Sequence, residues 1–283
     1  MVISVSDAPG GGSGGGNALD GSEDARSGKK IRIRLANRSP PQYIIADSIK
    51  PGEIAMKIKS GQHLMLVGDS VTDMGRIRPP QGTPSEGFAE QLGHGYPRTV
   101  CGLLNACYPE RLIRVTNMGD SGNNIRALKE RWERDVLAHR PDWIGLMIGI
   151  NDVWRQFDSP HKPFNHVLPE EYETTLRELV ARTLPQLSGG MVLMTPFFLE
   201  PNRDDPMRRR VDEYGEIVRR TAREYGTLLA DTQAAFDRVL AHRYSGMIAW
   251  DRVHPNLIGA TVLARVLLDA LDFDYAHRTT GRE

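Results

Sequence analysis

Short apolar runs alternate with amphipathic stretches from residue 61 to the end of the chain. Each run has the length of one buried strand, and the stretches between them repeat apolar residues at helical spacing, as Ile125, Leu128 and Trp132 do. We predict strands at residues 63–68, 111–117, 142–150, 190–197 and 226–231, and helices at 124–138, 170–184, 206–225 and 257–271. This alternation favours an α/β fold in which helices cover both faces of a parallel sheet.

Polar residues follow the first three predicted strands and precede the last predicted helix. The four clusters are GDSVTD at 68–73, NMGDSGN at 117–123, GIND at 149–152 and DRVHPN at 251–256. In an open α/β sheet the ligand site lies outside the carboxyl ends of the strands. We therefore expect the four clusters to meet at one site.

The clusters contain the residue types of a serine hydrolase. The hydroxyl of Ser70 needs a base to become nucleophilic, and an imidazole such as that of His254 is the usual base near neutral pH. Asp251, three residues before the histidine, is expected to orient that imidazole. The backbone N–H groups of Ser70 and Gly119 and the side-chain amide of Asn151 are expected to form an oxyanion hole.

Each cluster alone is more typical of a turn or a helix cap than of catalysis. Gly-Asp-Ser is ordinary turn chemistry, and Asn151 and Asp152 suit the start of a helix. The occurrence of all four clusters in this order, at successive strand ends, is what indicates a site.

These blocks resemble the SGNH (GDSL) hydrolase superfamily, which is named for its Ser, Gly, Asn and His site residues. Ser70, Gly119, Asn151 and His254 stand in the matching blocks, and the resemblance covers about residues 61–275. It implies a three-layer α/β/α sandwich with a flavodoxin-like five-stranded parallel sheet. It also implies Ser70 as nucleophile, His254 as base, Asp251 as the orienting acid, and Ser70, Gly119 and Asn151 as oxyanion donors, with no metal and no cofactor.

Stretches between the blocks are similar to the bacterial acetylxylan esterases of this superfamily. They are RWERDVLAHRPDW, MIGINDVWRQFD, EYETTLRELV, LMTPFFLEPNRDDPMRR, DTQAAFD and WDRVHPN. The similarity implies an esterase that removes acetyl groups from xylo-oligosaccharides. The side chains near the blocks also suit a sugar better than a lipid tail, and they are Arg76, Arg78, Gln81, Trp154, Arg155, Gln156 and Trp250.

The chain departs from the family pattern in three places. Residues 1–60 precede the usual start, and Gly259-Ala260 replaces a frequent Gly-His pair. Asp120 follows the predicted oxyanion glycine, where a carboxylate that faced the hole would oppose the oxyanion.

The composition of the chain divides it into four segments. Residues 1–28 hold 8 of the 28 glycines and are predicted to be a flexible Gly/Ser-rich segment. Residues 29–60 are assigned as an accessory segment, 61–275 as the hydrolase domain and 276–283 as a C-terminal tail.

Charge and hydropathy exclude two classes of partner. Lys plus Arg and Asp plus Glu both number 36, so the net charge is zero and nucleic-acid binding is not expected. No apolar run reaches the roughly 18 residues of a transmembrane helix, and the first residues lack the pattern of a secretory signal.

Cys101 and Cys107 lie too far apart on a predicted helix to form a disulfide, so both are expected to be reduced, as in the cytoplasm. A homo-oligomer is left open.

The motifs leave two alternatives to an acetyl esterase of carbohydrates. A general short-chain carboxylesterase or a lysophospholipase would use the same Ser70, His254 and Asp251. A non-catalytic flavodoxin-like module could bind a flavin or a phosphate at the same sheet edge, but it would need neither His254 nor Asp251.

Overall fold

The computed structural model describes residues 55–78, 85–86 and 89–278. The strands in these ranges are β1 (His63–Gly68), β2 (Ser85–Glu86), β3 (Arg114–Gly119), β4 (Trp143–Met147), β5 (Gly190–Met194) and β6 (Leu228–Ala230). The helices are α1 (Ser70–Asp73), α2 (Tyr96–Cys107), α3 (Ile125–Asp135), α4 (Ile150–Asp158), α5 (Pro169–Thr183), α6 (Pro206–Tyr225), α7 (Thr232–Leu240) and α8 (Leu257–Ala270). The predicted flexible segment 1–28, most of the accessory segment and Gln81 lie outside the described residues.

The strands form a sheet in the order β2-β3-β1-β4-β5-β6. Five of them are parallel, and β2 is a two-residue edge strand that runs antiparallel to β3. In chain order the parallel strands read 2-1-3-4-5, the flavodoxin-like order. In register, Gly68 pairs with Gly119 on one side and with Met147 on the other, so three strands end level with one another.

Helices cover both faces of the sheet. One layer contains α2, α7 and α8, and the other contains α3, α4, α5 and α6. Every residue of β1 and β4 is buried, because their side chains point alternately into the two layers. The predicted three-layer sandwich with five parallel strands is therefore confirmed, and β2 is an addition to it.

Polar residues and glycine set the ends of the long helices. Asn124 Oδ1 accepts the Ala127 N–H at the start of α3, and Asp205 Oδ1 accepts the N–H groups of Met207 and Arg208 at the start of α6. Gly226 ends α6 in the left-handed region at a φ of 65°. These caps explain why the predicted bounds of α6 match the structure.

The helices α4 and α7 and the four-residue α1 were not among the predicted helices, and the predicted strands at 142–150, 190–197 and 226–231 extend beyond β4, β5 and β6. The apolar run at 142–150 leaves the sheet after Met147, turns at Gly149 and enters α4. The residues Ile148 and Ile150 stay buried after the strand has ended, so hydrophobicity alone does not mark the boundary. The unpredicted helix α7 is a short segment that buries Ala235 and Phe236.

The packed body extends beyond the predicted domain boundaries at both ends. Met56 and Ile58 are buried in the core, and the Lys57 N–H donates to Leu271 O at 2.9 Å. At the other end the His277 ring stacks on Tyr108 with ring centroids 3.9 Å apart. The end of the accessory segment is thus part of the core, and the start of the tail packs against the domain through His277.

Both cysteines lie on α2 and both are free thiols, as predicted. Within the ranges given above, we find no helix with the length and apolar content needed to cross a membrane.

Candidate active site

Ser70 is held at the carboxyl end of β1 by a tight turn into α1. It is the first residue of that helix, and Asp69 caps the helix by accepting the Val71 N–H at 2.9 Å. A Cβ on Gly68 would lie 2.3 Å from Thr72 Oγ1 and 2.4 Å from Met147 O, so only glycine fits this turn. The turn presents the Ser70 hydroxyl beyond the edge of the sheet.

A chain of two hydrogen bonds joins Ser70, His254 and Asp251. His254 Nε2 lies 2.8 Å from Ser70 Oγ, and His254 Nδ1 lies 2.6 Å from Asp251 Oδ2. Since Asp251 accepts from the Nδ1–H, Nε2 is the ring atom that can accept the serine proton. Three residues predicted from two separate clusters are therefore in contact.

The carboxylate of Asp251 is fixed by its own loop. Its Oδ1 accepts the N–H groups of Val253 at 3.0 Å and of His254 at 2.8 Å. Burial alone would raise the pKa of Asp251, but the hydrogen bonds from His254 and Val253 outweigh it and hold that pKa below its usual range. Asp251 is therefore an anion that accepts the Nδ1–H of the His254 imidazole.

The structure gives Gly119 a different role from the one predicted. Its N–H donates to Asn117 Oδ1 at 2.8 Å and is not directed into the site. A Cβ at this position would lie 2.2 Å from the Asp73 N atom, so glycine is required for β3 to pack against α1. One N–H cannot serve Asn117 and an oxyanion together, and the bond to Asn117 therefore conflicts with the predicted oxyanion role.

Asn151 binds the loop that follows β3. Its Nδ2 donates to Asn123 O at 2.9 Å, and its Oδ1 accepts from Arg155 Nη2 at 3.2 Å. One hydrogen of the amide is used in this bond, which leaves the second available. The Gly122 N–H, one residue before Asn123, donates to no acceptor among the described residues, and Gly122 has a φ of +83° with open space around it.

The negative charge of Asp120 is compensated by Arg78. Its Oδ1 accepts from Arg78 Nη1 at 2.6 Å, and the same guanidinium pairs with the buried Asp73. The positive charge of Arg78 therefore offsets this departure from the family pattern.

The residues predicted to contact a sugar fall into two groups. Arg76 and Gln156 support the fold, since Arg76 donates to Gly119 O at 2.7 Å and Gln156 donates to Asp152 O at 2.9 Å. Trp154 lies beside the triad, with its ring centroid 5.9 Å from that of His254, and Arg155 lies over the Trp154 ring. Trp250 is 86% exposed.

Two buried carboxyl groups near the site were not predicted from the sequence. Burial raises the pKa of Asp69 to about 7, although the Val71 N–H and the charge of His254 act in the opposite direction. Burial also raises the pKa of Asp152 to about 7; the Ile125 N–H lowers it and the negative charge of Asp69 raises it further. Asp152 Oδ1 accepts that N–H at 2.9 Å, whereas its Oδ2 has no partner among the described residues.

We expect Asp152→Asn to flatten the dependence of stability on pH. A carboxyl with a pKa of about 7 in the folded state, against 3.8 when unfolded, keeps a proton that the unfolded chain has lost between these values. Its contribution to stability is therefore complete below about pH 4 and is lost as the pH rises towards 7, by about 1 kcal/mol per pH unit. Asparagine has no such proton, so Tm should fall less between about pH 5 and 7 in the variant than in the wild type. Asp204→Asn, at an exposed carboxyl, is the control, and an equal slope in wild type and Asp152→Asn would contradict this assignment.

No group of three or more His, Cys, Asp or Glu side chains that could hold a metal ion occurs within 55–78, 85–86 and 89–278.

Comparisons with known proteins place the chain in a family. Residues 66–262 match the GDSL-like Lipase/Acylhydrolase family. The chain is 53% identical, over 220 residues, to an acetylxylan esterase of Geobacillus stearothermophilus, a match that covers 78% of this chain and 98% of that enzyme.

Solved structures give the same result. A crystal structure of the Geobacillus acetylxylan esterase matches with a TM-score of 0.75 and 52% identity, covering 78% of this chain and 98% of that one. An alpha/beta hydrolase enzyme from the metagenome of Lake Arreo, Spain, matches with a TM-score of 0.74 and 50% identity, covering 77% and 98%. Structures of the Geobacillus enzyme include catalytic mutants of a serine, an aspartate and a histidine, the last two separated by two residues as Asp251 and His254 are here. The chain belongs to the GDSL-like lipase/acylhydrolase family and is a carboxylic ester hydrolase.

Proposed function

We propose that this chain is a serine esterase that removes acetyl groups from xylo-oligosaccharides through an acyl-enzyme intermediate. The observation that carries the proposal is the unbroken hydrogen-bond chain from Ser70 Oγ through His254 to Asp251 at the carboxyl edge of the sheet. The acetyl and xylan assignment is supported by the relative that is 53% identical, which is an acetylxylan esterase.

In the first half of the reaction, Ser70 Oγ attacks the acetyl carbonyl carbon while His254 Nε2 takes the serine proton. The resulting imidazolium is stabilised by the carboxylate of Asp251. The bond between the carbonyl carbon and the sugar oxygen then breaks, and His254 gives its proton to that oxygen. Acetyl-Ser70 and the free sugar hydroxyl are the products of this half.

In the second half, His254 takes a proton from water as the water oxygen attacks the acetyl-Ser70 carbonyl. The bond between the acetyl carbon and Ser70 Oγ breaks as His254 returns its proton to Oγ, and acetic acid leaves and ionises in solvent. His254 acts first as the base and then as the acid in both halves.

Three N–H groups are proposed to stabilise the oxyanion. They are the backbone N–H of Ser70, the second amide hydrogen of Asn151 and the backbone N–H of Gly122, which takes the place predicted for Gly119. The bond from Asn151 to Asn123 O supports this choice, because it holds Asn123, the residue after Gly122, against the Asn151 side chain. Donors of this kind are each worth about 10²–10³ in kcat.

We expect kcat/KM to fall from p-nitrophenyl acetate to the butyrate and again to the octanoate. The apolar cavity beside the turn that carries Ser70, lined by Val71, Ile148, Ile150 and Phe197 among others, has a volume of about 10 Å³, enough for one water molecule, and so offers no channel for a longer acyl chain. Each methylene that cannot be accommodated costs about 1–3 kcal/mol of transition-state binding. The three esters should be measured side by side with acetylated xylo-oligosaccharides and other acetylated sugars.

The outcome of that series separates the alternatives. Acetylated xylo-oligosaccharides are expected to be the best substrates. Equal turnover of all acetyl esters would favour a general short-chain carboxylesterase, and an octanoate preference would favour a lysophospholipase. The flavodoxin-like binding module is disfavoured, because such a module has no use for the hydrogen bond from His254 to Asp251.

The remaining assignments are extensions of this proposal. The catalytic domain is proposed to begin near residue 55 and not at 61, because Met56 and Ile58 lie in its core. The site of action is proposed to be the cytoplasm, where thiols such as Cys101 and Cys107 stay reduced. The partner is a small acetylated sugar, and neither nucleic acid nor a membrane is proposed as one.

A further inference from the structure

Arg131 is a buried arginine whose guanidinium lies directly behind the site. It projects from α3 and is 5% exposed. Its Nη2 donates to Gly68 O at 3.0 Å, its Nη1 to Met118 O at 3.0 Å and its Nε to Asn123 Oδ1 at 2.6 Å. All three nitrogens of one planar group are therefore bound to fixed acceptors.

The three acceptors belong to the segments that carry the proposed chemistry. Gly68 ends β1 and is two residues before Ser70. Met118 lies in β3, the strand that leads into the loop with Gly122, and Asn123 belongs to that loop. The carbonyl of Asn123 is the group that Asn151 binds. Arg131 thus connects the turn that carries Ser70 to the two proposed oxyanion donors of other segments, Gly122 and Asn151.

Burial of the Arg131 charge costs desolvation free energy, and the neighbouring carboxylate offsets only part of it. Burial lowers the pKa of Arg131, while the nearby carboxylate of Asp135, 3.4 Å from Nη1, raises it. Buried ion pairs contribute little to stability compared with apolar side chains of similar volume. The rigid fork of a guanidinium does supply fixed distances between acceptors, which an apolar side chain cannot.

We propose that Arg131 is a positioning residue, which fixes the distance between Ser70 and the oxyanion donors of Gly122 and Asn151. It does not touch the substrate and acts through Gly68 and Asn123. This inference rests on the proposed function of the same site. Oxyanion stabilisation depends on preorganised donors at hydrogen-bond distance, and a displacement of about 1 Å costs about 10² in rate.

The test is Arg131→Lys, which keeps a positive charge near Asp135 but cannot span three acceptors. We expect kcat for p-nitrophenyl acetate to fall about 10- to 100-fold while KM changes less than about threefold. The matched control is Arg134→Lys. Arg134 is on the same helix and also pairs with Asp135, but it is half exposed and makes no hydrogen bond to the site, so the control should keep wild-type kcat.

Binding of a boronic acid separates positioning from a purely structural role. The Ser70 oxygen adds to boron and its proton passes to His254, which gives a tetrahedral adduct that needs the oxyanion donors. The inhibition constant of phenylboronic acid should rise in Arg131→Lys by about the factor that kcat/KM falls, with enzyme concentration corrected for folded fraction. An unchanged inhibition constant, or a kcat within about twofold of wild type, would overturn the inference.

If Arg131→Lys does not fold, a second variant tests the same inference. Asn123→Ala removes only the bond from Arg131 Nε to Asn123 Oδ1 and leaves the bonds to Gly68 and Met118 in place. It should lower kcat and boronate affinity together, by a smaller factor, and wild-type values of both would again overturn the inference. Failure of the proposed function would show differently, as continued turnover by Ser70→Ala.

Discussion

Ser70→Ala is expected to lower kcat for acetyl ester hydrolysis by about 10⁴–10⁶-fold, the largest effect predicted for any single substitution in this chain. The variant lacks the oxygen that would form the acyl-enzyme, and the remaining donors and the imidazole cannot replace it. The fold should be retained, because the Ser70 hydroxyl bonds only to His254 among the described residues, and alanine suits the first turn of a helix. Steady-state rates with p-nitrophenyl acetate, together with Tm, check both statements.

The matched control for this substitution is Ser188→Ala. The Ser188 hydroxyl also makes a side-chain hydrogen bond, to Asp142, but it lies just before β5 and so at the opposite edge of the sheet. It should keep wild-type kcat. A Ser70→Ala enzyme with even a tenth of wild-type activity would remove Ser70 from the mechanism.

Asp251→Asn is expected to lower kcat by about 10⁴-fold with little change in structure. Asparagine can still accept the N–H groups of Val253 and His254 through its oxygen. It cannot stabilise an imidazolium, and its NH₂ can donate to His254 Nδ1 and so hold the tautomer in which Nε2 carries a proton. In that tautomer Nε2 cannot accept the proton of Ser70.

Asp205→Asn tests whether this loss is specific to the site. Asp205 Oδ1 accepts two backbone N–H groups at the start of α6, as Asp251 Oδ1 does in its loop, but Asp205 has no histidine partner among the described residues. Asparagine is an equally good cap, so kcat and Tm should both stay near wild type. Similar losses of kcat in the two variants would mean that Asp251 supports only the loop.

The sequence was sufficient to predict the parallel sheet and the meeting of Ser70, His254 and Asp251 at its edge. Buried parallel strands are continuous apolar runs, and their carboxyl ends are constrained to one edge, so polar residues after each run had to meet. The level ends of β1, β3 and β4 show this constraint directly, since Gly68 pairs with both Gly119 and Met147. His254 and Asp251 share one loop, and their spacing of three residues already allows contact.

The donor proposed in the loop after β3, the Gly122 N–H, could not be identified from the sequence in the same way. The segment NMGDSG contains two glycines, and spacing does not show which N–H is already bonded. In the structure the Asn117 side chain accepts the Gly119 N–H, whereas the Gly122 N–H has no acceptor among the described residues. An asparagine two residues before a glycine does not by itself predict this hydrogen bond, because the bond depends on the backbone conformation of the folded chain.

The residues behind the site depend on contacts that are distant in sequence. Arg131 occurs in a charged stretch, KERWERD, that is typical of a solvent-exposed helix face. Its burial follows from three acceptors on β1, β3 and the loop after β3. In the sequence, Asp152 is likewise indistinguishable from a helix cap, because the Ile125 N–H that it accepts comes from a distant segment. Its raised pKa is a consequence of its burial in the folded chain.

The most direct test of the central claim is to trap the acyl-enzyme. The wild-type protein is mixed with an acetylated xylo-oligosaccharide, quenched in acid during turnover, digested and examined by peptide mass spectrometry. The account predicts the mass of one acetyl group on the peptide that contains Ser70, fragment ions that place it on that serine, and its absence in Ser70→Ala. An acetyl group on another residue that turns over at the rate of the reaction, or sustained hydrolysis by Ser70→Ala, would contradict it.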